Sequence, residues 1–198
     1  MYKRQINGNG NASANIIRGN VGANRLIGAA DGDTLYGNNG NDKLFGMIGH
    51  DNLFGEAGND HLMGGNGNDI LTGGIGNDIL NGGYGFDTLD AGAGNDILIG
   101  GNGFDTLNGG DGNDLLTGGL GNDQLTGGAG RDKFSINTGA GRDVITDYNS
   151  GEDKIKLLGG LTASDLTVNQ FGDDVKIKYE GDLMAIVQDT LIAELTFI

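Results

Sequence analysis

The chain has 198 residues, enough for one or two domains, and its formal net charge of −15 argues against binding to nucleic-acid phosphates. It has no cysteine, which excludes disulfides and thiolate metal sites. No apolar run approaches the roughly 18 residues that a membrane-spanning helix needs, so we expect no membrane span.

Residues 1–18 precede the regular part of the chain. Nothing in residues 1–9 repeats, and we expect this stretch to be frayed. Residues 10–18 look like a decayed repeat, with Asn15 and Ile17 at the places that hold Asp and Leu further on. Such decay is usual in the terminal cap of a repeat protein. No apolar segment follows Met1, so we expect no N-terminal secretion signal.

A nonapeptide then recurs thirteen times without insertion over residues 19–135. The first position is Gly in twelve of the thirteen copies, with Ala91 as the exception, and the sixth is Asp in twelve, with Asn24 as the exception. The eighth is Leu in twelve copies and Phe134 in the last. A strict short period of this kind predicts a solenoid, and it outweighs the disorder that 42 glycines would otherwise suggest.

Each unit reads as a six-residue glycine-rich turn followed by a three-residue strand whose middle side chain, at the eighth position, points inward. Two units then form one 18-residue coil, and alternate units stack into two parallel sheets. The second position is Gly only from Gly65 onward, and the second copy has its turn displaced around Asp31. We therefore expect the N-terminal loops to be looser than the later ones.

After residue 135 the pattern slips by two residues, and residues 138–146 supply one last turn-like unit with Asp143 at the acidic position. Glycine then becomes scarce. Alternating apolar patterns at 153–158, 165–171, 174–180, 183–188 and 191–198 predict the strands of a small β cap over residues 147–198. Such a cap covers strand edges that the solenoid would otherwise expose.

The acidic column indicates a metal. A merely solvated acidic face would exchange Asp and Glu freely, yet no Glu occupies the sixth position. Stacked loops would also bring like charges together. Carboxylates and loop carbonyls offer only oxygen ligands, which suit calcium better than magnesium because magnesium needs a tight octahedron.

These repeats resemble the RTX, or haemolysin-type, calcium-binding nonapeptide G-G-x-G-x-D-x-U-x, and residues 138–158 resemble the C-terminal flank of that family. The resemblance implies an all-β, right-handed parallel β-roll over 19–146, with two nonapeptides per coil, followed by the small β cap. It also implies that each calcium ion lies between loops 18 residues apart, as with Gly65, Gly67 and Asp69 facing Gly82, Tyr84 and Asp87.

About eleven sites follow, and Asp143 could add one by facing Asp123. The metal ligands that the resemblance implies are the carboxylates of Asp33, Asp42, Asp51, Asp60, Asp69, Asp78, Asp87, Asp96, Asp105, Asp114, Asp123, Asp132 and Asp143. To these it adds the loop glycines Gly65, Gly67, Gly74, Gly76, Gly83, Gly85, Gly92, Gly94, Gly101, Gly103, Gly110 and Gly112. Asn24 and the turn around Asp31 depart from the pattern.

The best interpretation is a calcium-binding, non-catalytic protein of a Gram-negative-type bacterium that folds on meeting extracellular calcium. We expect no catalytic residues, since no nucleophile–base motif is present and His50 and His61 fall at variable positions. Residues 194–198 resemble the C-terminal signals of type I secretion, although a final strand would look the same. Two alternatives stay open: the RTX part of a larger secreted enzyme or toxin (protease, lipase or pore-former), or an adhesive, polysaccharide-binding module.

The outward side chains differ between the two predicted sheets. In the sheet built from odd-numbered repeats they include Ile27, Phe45, Met63, Ile79, Ile97, Ile99 and Leu115. Ordinary strand preference accounts for isolated cases. The alternative is that this sheet packs against the cap, a neighbouring domain or a second copy.

Overall fold

The computed structural model describes residues 7–138, 141–190 and 192–198, and nearly all of its regular structure is β. Within these ranges the strands form one nine-stranded and one eleven-stranded sheet. Successive strands of the repeats alternate between the sheets, and neighbouring strands within a sheet are parallel there. The predicted all-β parallel roll with two nonapeptides per coil is confirmed.

Strands β3 to β14 are each six residues long, and shorter or cap strands lie at both ends. They are β1 (Asn7–Asn9), β2 (Ile16–Arg18), β3 (Arg25–Ala30), β4 (Thr34–Asn39), β5 (Lys43–Ile48), β6 (Asn52–Ala57), β7 (His61–Asn66), β8 (Ile70–Ile75), β9 (Ile79–Tyr84), β10 (Thr88–Ala93), β11 (Ile97–Asn102), β12 (Thr106–Asp111), β13 (Leu115–Leu120), β14 (Gln124–Ala129), β15 (Lys133–Ile136), β16 (Asp143–Ile145), β17 (Lys154–Leu157), β18 (Leu166–Phe171), β19 (Asp174–Tyr179) and β20 (Asp182–Val187).

The interior strands are longer than the three residues predicted. β8, for example, runs from the seventh position of one repeat to the third position of the next. The first two positions continue the ladder, since Gly74 is paired with Gly92 in the neighbouring coil. Only positions four to six remain as the turn, so the prediction of a six-residue turn is wrong.

Alternation along each strand places three positions of the repeat on the inner face. Asp69, Leu71 and Gly73 are two residues apart and all three are buried, while the residues between them are not. This is the period of two expected for a strand. All twelve column leucines and Phe134 are at most 1% exposed, which confirms the prediction that the eighth side chain points inward.

The first position is Gly in twelve repeats because it leaves little room for a side chain, and the one exception, Ala91, has only a methyl group. A Cβ added to Gly73 would lie 2.5 Å from Oδ2 of Asp78 and 2.6 Å from the carbonyl oxygen of Ala91. The second position is Gly for a different reason: the backbone there has a positive φ, such as 116° at Gly65. The N-terminal repeats adopt the same conformation without glycine, with a φ of 101° at Ala29 and 86° at Met47.

This difference predicts opposite effects for two matched substitutions. Ala29→Gly should stabilise the folded protein by about 1 kcal/mol, because a non-glycine residue with positive φ costs about 1–2 kcal/mol and the flexibility of glycine offsets part of the gain. Gly65→Ala should destabilise it, because the new Cβ would also collide with the backbone of Met47. Urea denaturation midpoints in saturating calcium test both, and an Ala29→Gly variant less stable than the original chain would contradict the explanation.

The turn of the second repeat is not displaced, contrary to the prediction. Asp31 takes the fourth position with a φ of 68°, where later repeats have glycine. Aspartate tolerates this left-handed region better than most residues do. Asp33 consequently keeps its place in the acidic column and is fully buried.

The N-terminal expectation is wrong in part. Residues 7–9 form β1 and pair with β3, Gly8 lying beside Leu26, so they are not frayed. The backbone can continue the ladder there although Gly8 contributes no side chain to the core. Residues 1–6 lie outside the described residues. The decayed repeat behaves as predicted, since Ile17 packs against the core from β2.

The cap closes one end of the roll. β16 and β17 extend the two sheets, and β20 pairs in parallel with β16 while β19 is antiparallel to both β18 and β20. Val175, Ile177, Ala185 and Val187 are buried in a core continuous with Phe134.

The final segment differs from the predicted strand. Leu191 lies outside the described residues, Ile192–Glu194 forms a short 3₁₀ turn, and Phe197 makes a single bridge to Ile155. A second such turn spans Ala163–Asp165. Among the described residues, no helix has the length and apolarity needed to cross a membrane.

The cap leaves the outer face of the odd-repeat sheet open. Met63, Ile79 and Ile97 on that face are 36%, 38% and 37% exposed. The cap strands lie at the end of the roll and therefore do not cover them. Of the three expected occupants of this face, the cap is excluded, and a neighbouring domain or a second copy stays a prediction.

Candidate metal centre

The column aspartates form two ladders, one along each edge of the roll, because successive loops alternate between the edges. Along both ladders the backbone N–H of each Asp donates to Oδ1 of the Asp 18 residues later, at 2.6–2.9 Å. One edge holds Asp33, Asp51, Asp69, Asp87, Asp105 and Asp123, and the other holds Asp42, Asp60, Asp78, Asp96, Asp114 and Asp132.

The second carboxylate oxygen of these residues is unsatisfied. In all twelve Asp from Asp33 to Asp132, Oδ2 is buried and has no hydrogen-bond partner. The residues themselves are at most 2% exposed. A buried ionised carboxylate with one unsatisfied oxygen is unfavourable, so a column of them in the ionised state favours a compensating positive charge.

Backbone carbonyl oxygens of neighbouring loops lie close to the glycines of the facing loop. A Cβ added to Gly83 would meet the carbonyl oxygen of Gly65, and one added to Gly85 would meet that of Gly67. In the opposite direction, a Cβ on Gly64 would lie 2.7 Å from the carbonyl oxygen of Gly82. Carbonyl oxygens at positions two and four of one loop and position one of the next therefore lie close to the backbone of the facing loop.

The third position behaves differently. The carbonyl oxygen of Tyr84 accepts the backbone N–H of Gly67 at 2.7 Å. The structure thus brings Asp69 and Asp87 together at one gap. The Tyr84 carbonyl is already hydrogen-bonded there, and the ligand roles of Gly65, Gly67 and Gly82 stay predictions.

The other predicted glycines occupy equivalent places. Positive φ values occur at the second- and fourth-position residues Gly65, Gly67, Gly74, Gly76, Gly83, Gly85, Gly92, Gly94, Gly101, Gly103, Gly110 and Gly112. Their ligand role stays a prediction.

Burial raises the pKa of the column carboxylates above the usual 3.8. It reaches about 7 at Asp69, Asp78, Asp105 and Asp114. At Asp69 the largest cause is desolvation. The N–H of Asp51 opposes this rise in pKa, and the charges of Asp87 and Asp51 add to it. Ionisation of these groups is therefore costly unless a cation is bound nearby.

The ladders continue beyond the repeats at both C-terminal edges. Asp123 donates its N–H to Oδ1 of Asp143 at 3.2 Å, which brings together the pair that the sequence predicted. Asp132 donates to Oδ1 of Asp153 at 2.8 Å. Asp153 is also buried, and the sequence prediction assigned it only to the cap.

A local sequence pattern could have identified Asp153 as a member of the ladder. It precedes Lys154, Ile155 and Lys156, so Asp and an inward apolar residue are two positions apart, as in every repeat. The 21-residue spacing from Asp132 hid it. Unlike the repeat carboxylates, Asp153 has its Oδ2 satisfied, by the N–H of Asn149 at 2.8 Å.

These gaps fit a hard cation with oxygen ligands. Within the described ranges, no group of three or more His, Cys, Asp or Glu side chains is placed to hold a metal. Each gap has two carboxylates, so backbone carbonyls must supply the remaining ligands, and flexible all-oxygen coordination of this kind suits calcium. His50 is exposed, and its Nδ1 accepts the N–H of Asn68 at 2.7 Å.

The family model of the RTX calcium-binding nonapeptide repeat matches residues 9–44, 36–71, 45–80, 72–107 and 99–134, together more than half of the chain. This chain belongs to the RTX family. No curated protein matches it.

Among solved structures, the chain is similar to the AlgE6R3 subunit of the mannuronan C5-epimerase from Azotobacter vinelandii. Identity is 27% and the TM-score 0.44, over 67% of this chain and 78% of that one. The extracellular lipase LipA from Serratia marcescens shows 17% identity and a TM-score of 0.36, over 89% of this chain and 40% of that one.

The RTX match includes every column aspartate from Asp33 to Asp132 and ends before the cap. RTX repeats are calcium-binding modules and are not catalytic by themselves. The residues matched by the RTX family model therefore include all twelve aspartates whose Oδ2 has no hydrogen-bond partner.

Proposed function

We propose that this chain binds calcium ions in the gaps between loops 18 residues apart, at about eleven sites, and that binding drives its folding outside the cell. The observation that carries the proposal is the buried, unpartnered Oδ2 in each of the twelve column aspartates. Neighbouring carboxylates repel one another until a divalent ion neutralises them. Ion binding and folding are then a single equilibrium.

Folding outside the cell is expected from the calcium affinity of such sites. Extracellular calcium modules bind at about 10⁻⁴–10⁻³ M, well above cytosolic free calcium. The chain would stay unfolded inside the cell and become ordered after export. Family resemblance supports secretion by a type I machinery from a Gram-negative-type bacterium.

Circular dichroism tests the coupling directly. In chelator the far-ultraviolet spectrum should show little β structure, and added calcium should produce it in a cooperative transition. Magnesium at the same concentration should act much more weakly, because it prefers a tight octahedral site. Equal β signal in chelator and in calcium would refute calcium-induced folding.

The wider biological role stays a proposal. A larger secreted enzyme or toxin, or an adhesive module bound to surface polysaccharide, would use the same calcium-dependent roll and differ in what is attached to it. The exposed face around Ile79 and Ile97 offers a surface for a neighbouring domain in either case.

A further inference from the structure

The gap between the first and third loops differs from every gap between two column aspartates. Asn24 occupies the sixth position of the first repeat, and its N–H donates to Oδ1 of Asp42 at 2.6 Å, so the ladder itself is intact. Its side-chain Nδ2, however, donates to the carbonyl oxygen of Gly22. A carboxylate at this place has no hydrogen to donate.

Two further asparagines complete a local network. The N–H of Asn20 donates to Oδ1 of Asn24 at 2.9 Å, and the N–H of Gly22 donates to Oδ1 of Asn20 at 2.8 Å. Asn38, in the facing loop, donates from Nδ2 to the carbonyl oxygen of Gly19 at 3.1 Å. Amide hydrogens from both loops therefore reach carbonyl oxygens of the first loop.

Interior gaps have the opposite character. The fourth-position carbonyl equivalent to that of Gly22 belongs to Gly67 in the sixth repeat, where the sixth-position side chain is Asp69. The Oδ2 of Asp69 is buried and unpartnered, whereas Asn24 is buried with both ends of its amide hydrogen-bonded. An interior gap has an unsatisfied carboxylate on both sides, whereas the first gap has one only at Asp42, because the Asn24 amide is satisfied by neutral partners.

The other edge begins in a similar way. Asn15 occupies the acidic position of the decayed repeat, its N–H donates to Oδ1 of Asp33 at 2.7 Å, and its own Oδ1 accepts the N–H of Asn11 at 2.7 Å. Both ladders therefore start with an asparagine whose side-chain oxygen is satisfied by the N–H four residues earlier. This regularity argues that the asparagines are a terminating device.

We propose that the asparagine network around Asn24 replaces a calcium ion, so that the gap between the first and third loops holds none and Asn24 sets where the column of ions begins. The inference rests on the proposed function, since it presupposes calcium in the interior gaps. It predicts that a single carboxylate, restored at position 24, creates an additional site. The existing oxygens of Gly22 and Asp42 would then face an ion instead of an amide.

Native mass spectrometry in saturating calcium tests this by counting bound ions. Asn24→Asp should bind one more ion than the original chain. The matched control is Asn41→Asp, an exposed fifth-position residue whose side chain accepts the N–H of Asn59 outside the column. It adds the same charge and should leave the count unchanged. An unchanged count in Asn24→Asp, or an equal gain in the control, would overturn the inference.

The Asn24→Ala variant provides a second test of the inference if Asn24→Asp does not fold. The alanine variant should bind as many ions as the original chain, whereas the loss of one ion would mean that the Asn24 side chain is itself a ligand and would overturn the inference. Failure of the proposed function looks different, because then the original chain would bind no calcium.

Discussion

We expect the replacement of Asp87 by Asn to remove two calcium ions from the loaded protein. Asp87 faces Asp69 on one side and Asp105 on the other, since the N–H of Asp69 donates to Oδ1 of Asp87 and the N–H of Asp87 donates to Oδ1 of Asp105, both at 2.8 Å. One carboxylate therefore borders two gaps. The amide keeps the Oδ1 acceptor, so the ladder persists while the charge and the free Oδ2 disappear.

The expected cost in stability is large. Each vacated site removes about 2.7 kcal/mol when free calcium is one hundred times its Kd, so two sites remove about 5 kcal/mol. Calorimetric titration gives the number of ions and urea denaturation in calcium gives the stability. Asp111→Asn is the control, because Asp111 is exposed at a third position and carries the same charge outside the column. If Asp87→Asn kept the full number of ions, Asp87 would not be a ligand.

Without calcium, the roll becomes less stable as the pH rises from about 4 to about 8. Folding raises the pKa of Asp69, Asp78, Asp105 and Asp114 from 3.8 to about 7. Below pH 3.8 these groups are protonated in both states and cost nothing. As the pH rises towards 7, these carboxyl groups ionise in the unfolded chain but stay protonated in the folded chain. The free energy of unfolding therefore decreases across this interval.

Calcium reverses this dependence because it binds the ionised carboxylates and releases their protons. Circular dichroism of metal-free protein should show more residual β structure at pH 5 than at pH 8, and urea denaturation in saturating calcium should show greater stability at pH 8. Metal-free protein that became more stable at pH 8 would contradict the electrostatic account of the columns.

Much of this fold follows from the repeat pattern of the sequence alone. A Leu such as Leu71 and an Asp such as Asp69 recur every nine residues. A parallel roll is the arrangement that buries the leucines and aligns the aspartates. The length of the strands was not predictable in the same way, because glycine at positions such as Gly74 signals a turn although its backbone still pairs.

The ends of the ladders were harder to predict. Asp153 lies outside the nine-residue period and joins its ladder only through tertiary pairing of β15 with β17. Asn24 is visible as an exception in the sequence, but the bond from its amide to Gly22 depends on the shape of the loop. The spacing of the repeats predicts which carboxylates face each other. Whether a gap needs an ion depends on the side-chain hydrogen bonds within it, which the spacing does not predict.

The most direct test is anomalous X-ray diffraction from crystals grown in calcium. The account predicts anomalous peaks in two rows, one along each edge of the roll, with an ion between Asp69 and Asp87 and another between Asp78 and Asp96. It predicts no peak between Asn24 and Asp42. Empty gaps between the interior aspartates, with calcium only at exposed carboxylates such as Asp111, would contradict it.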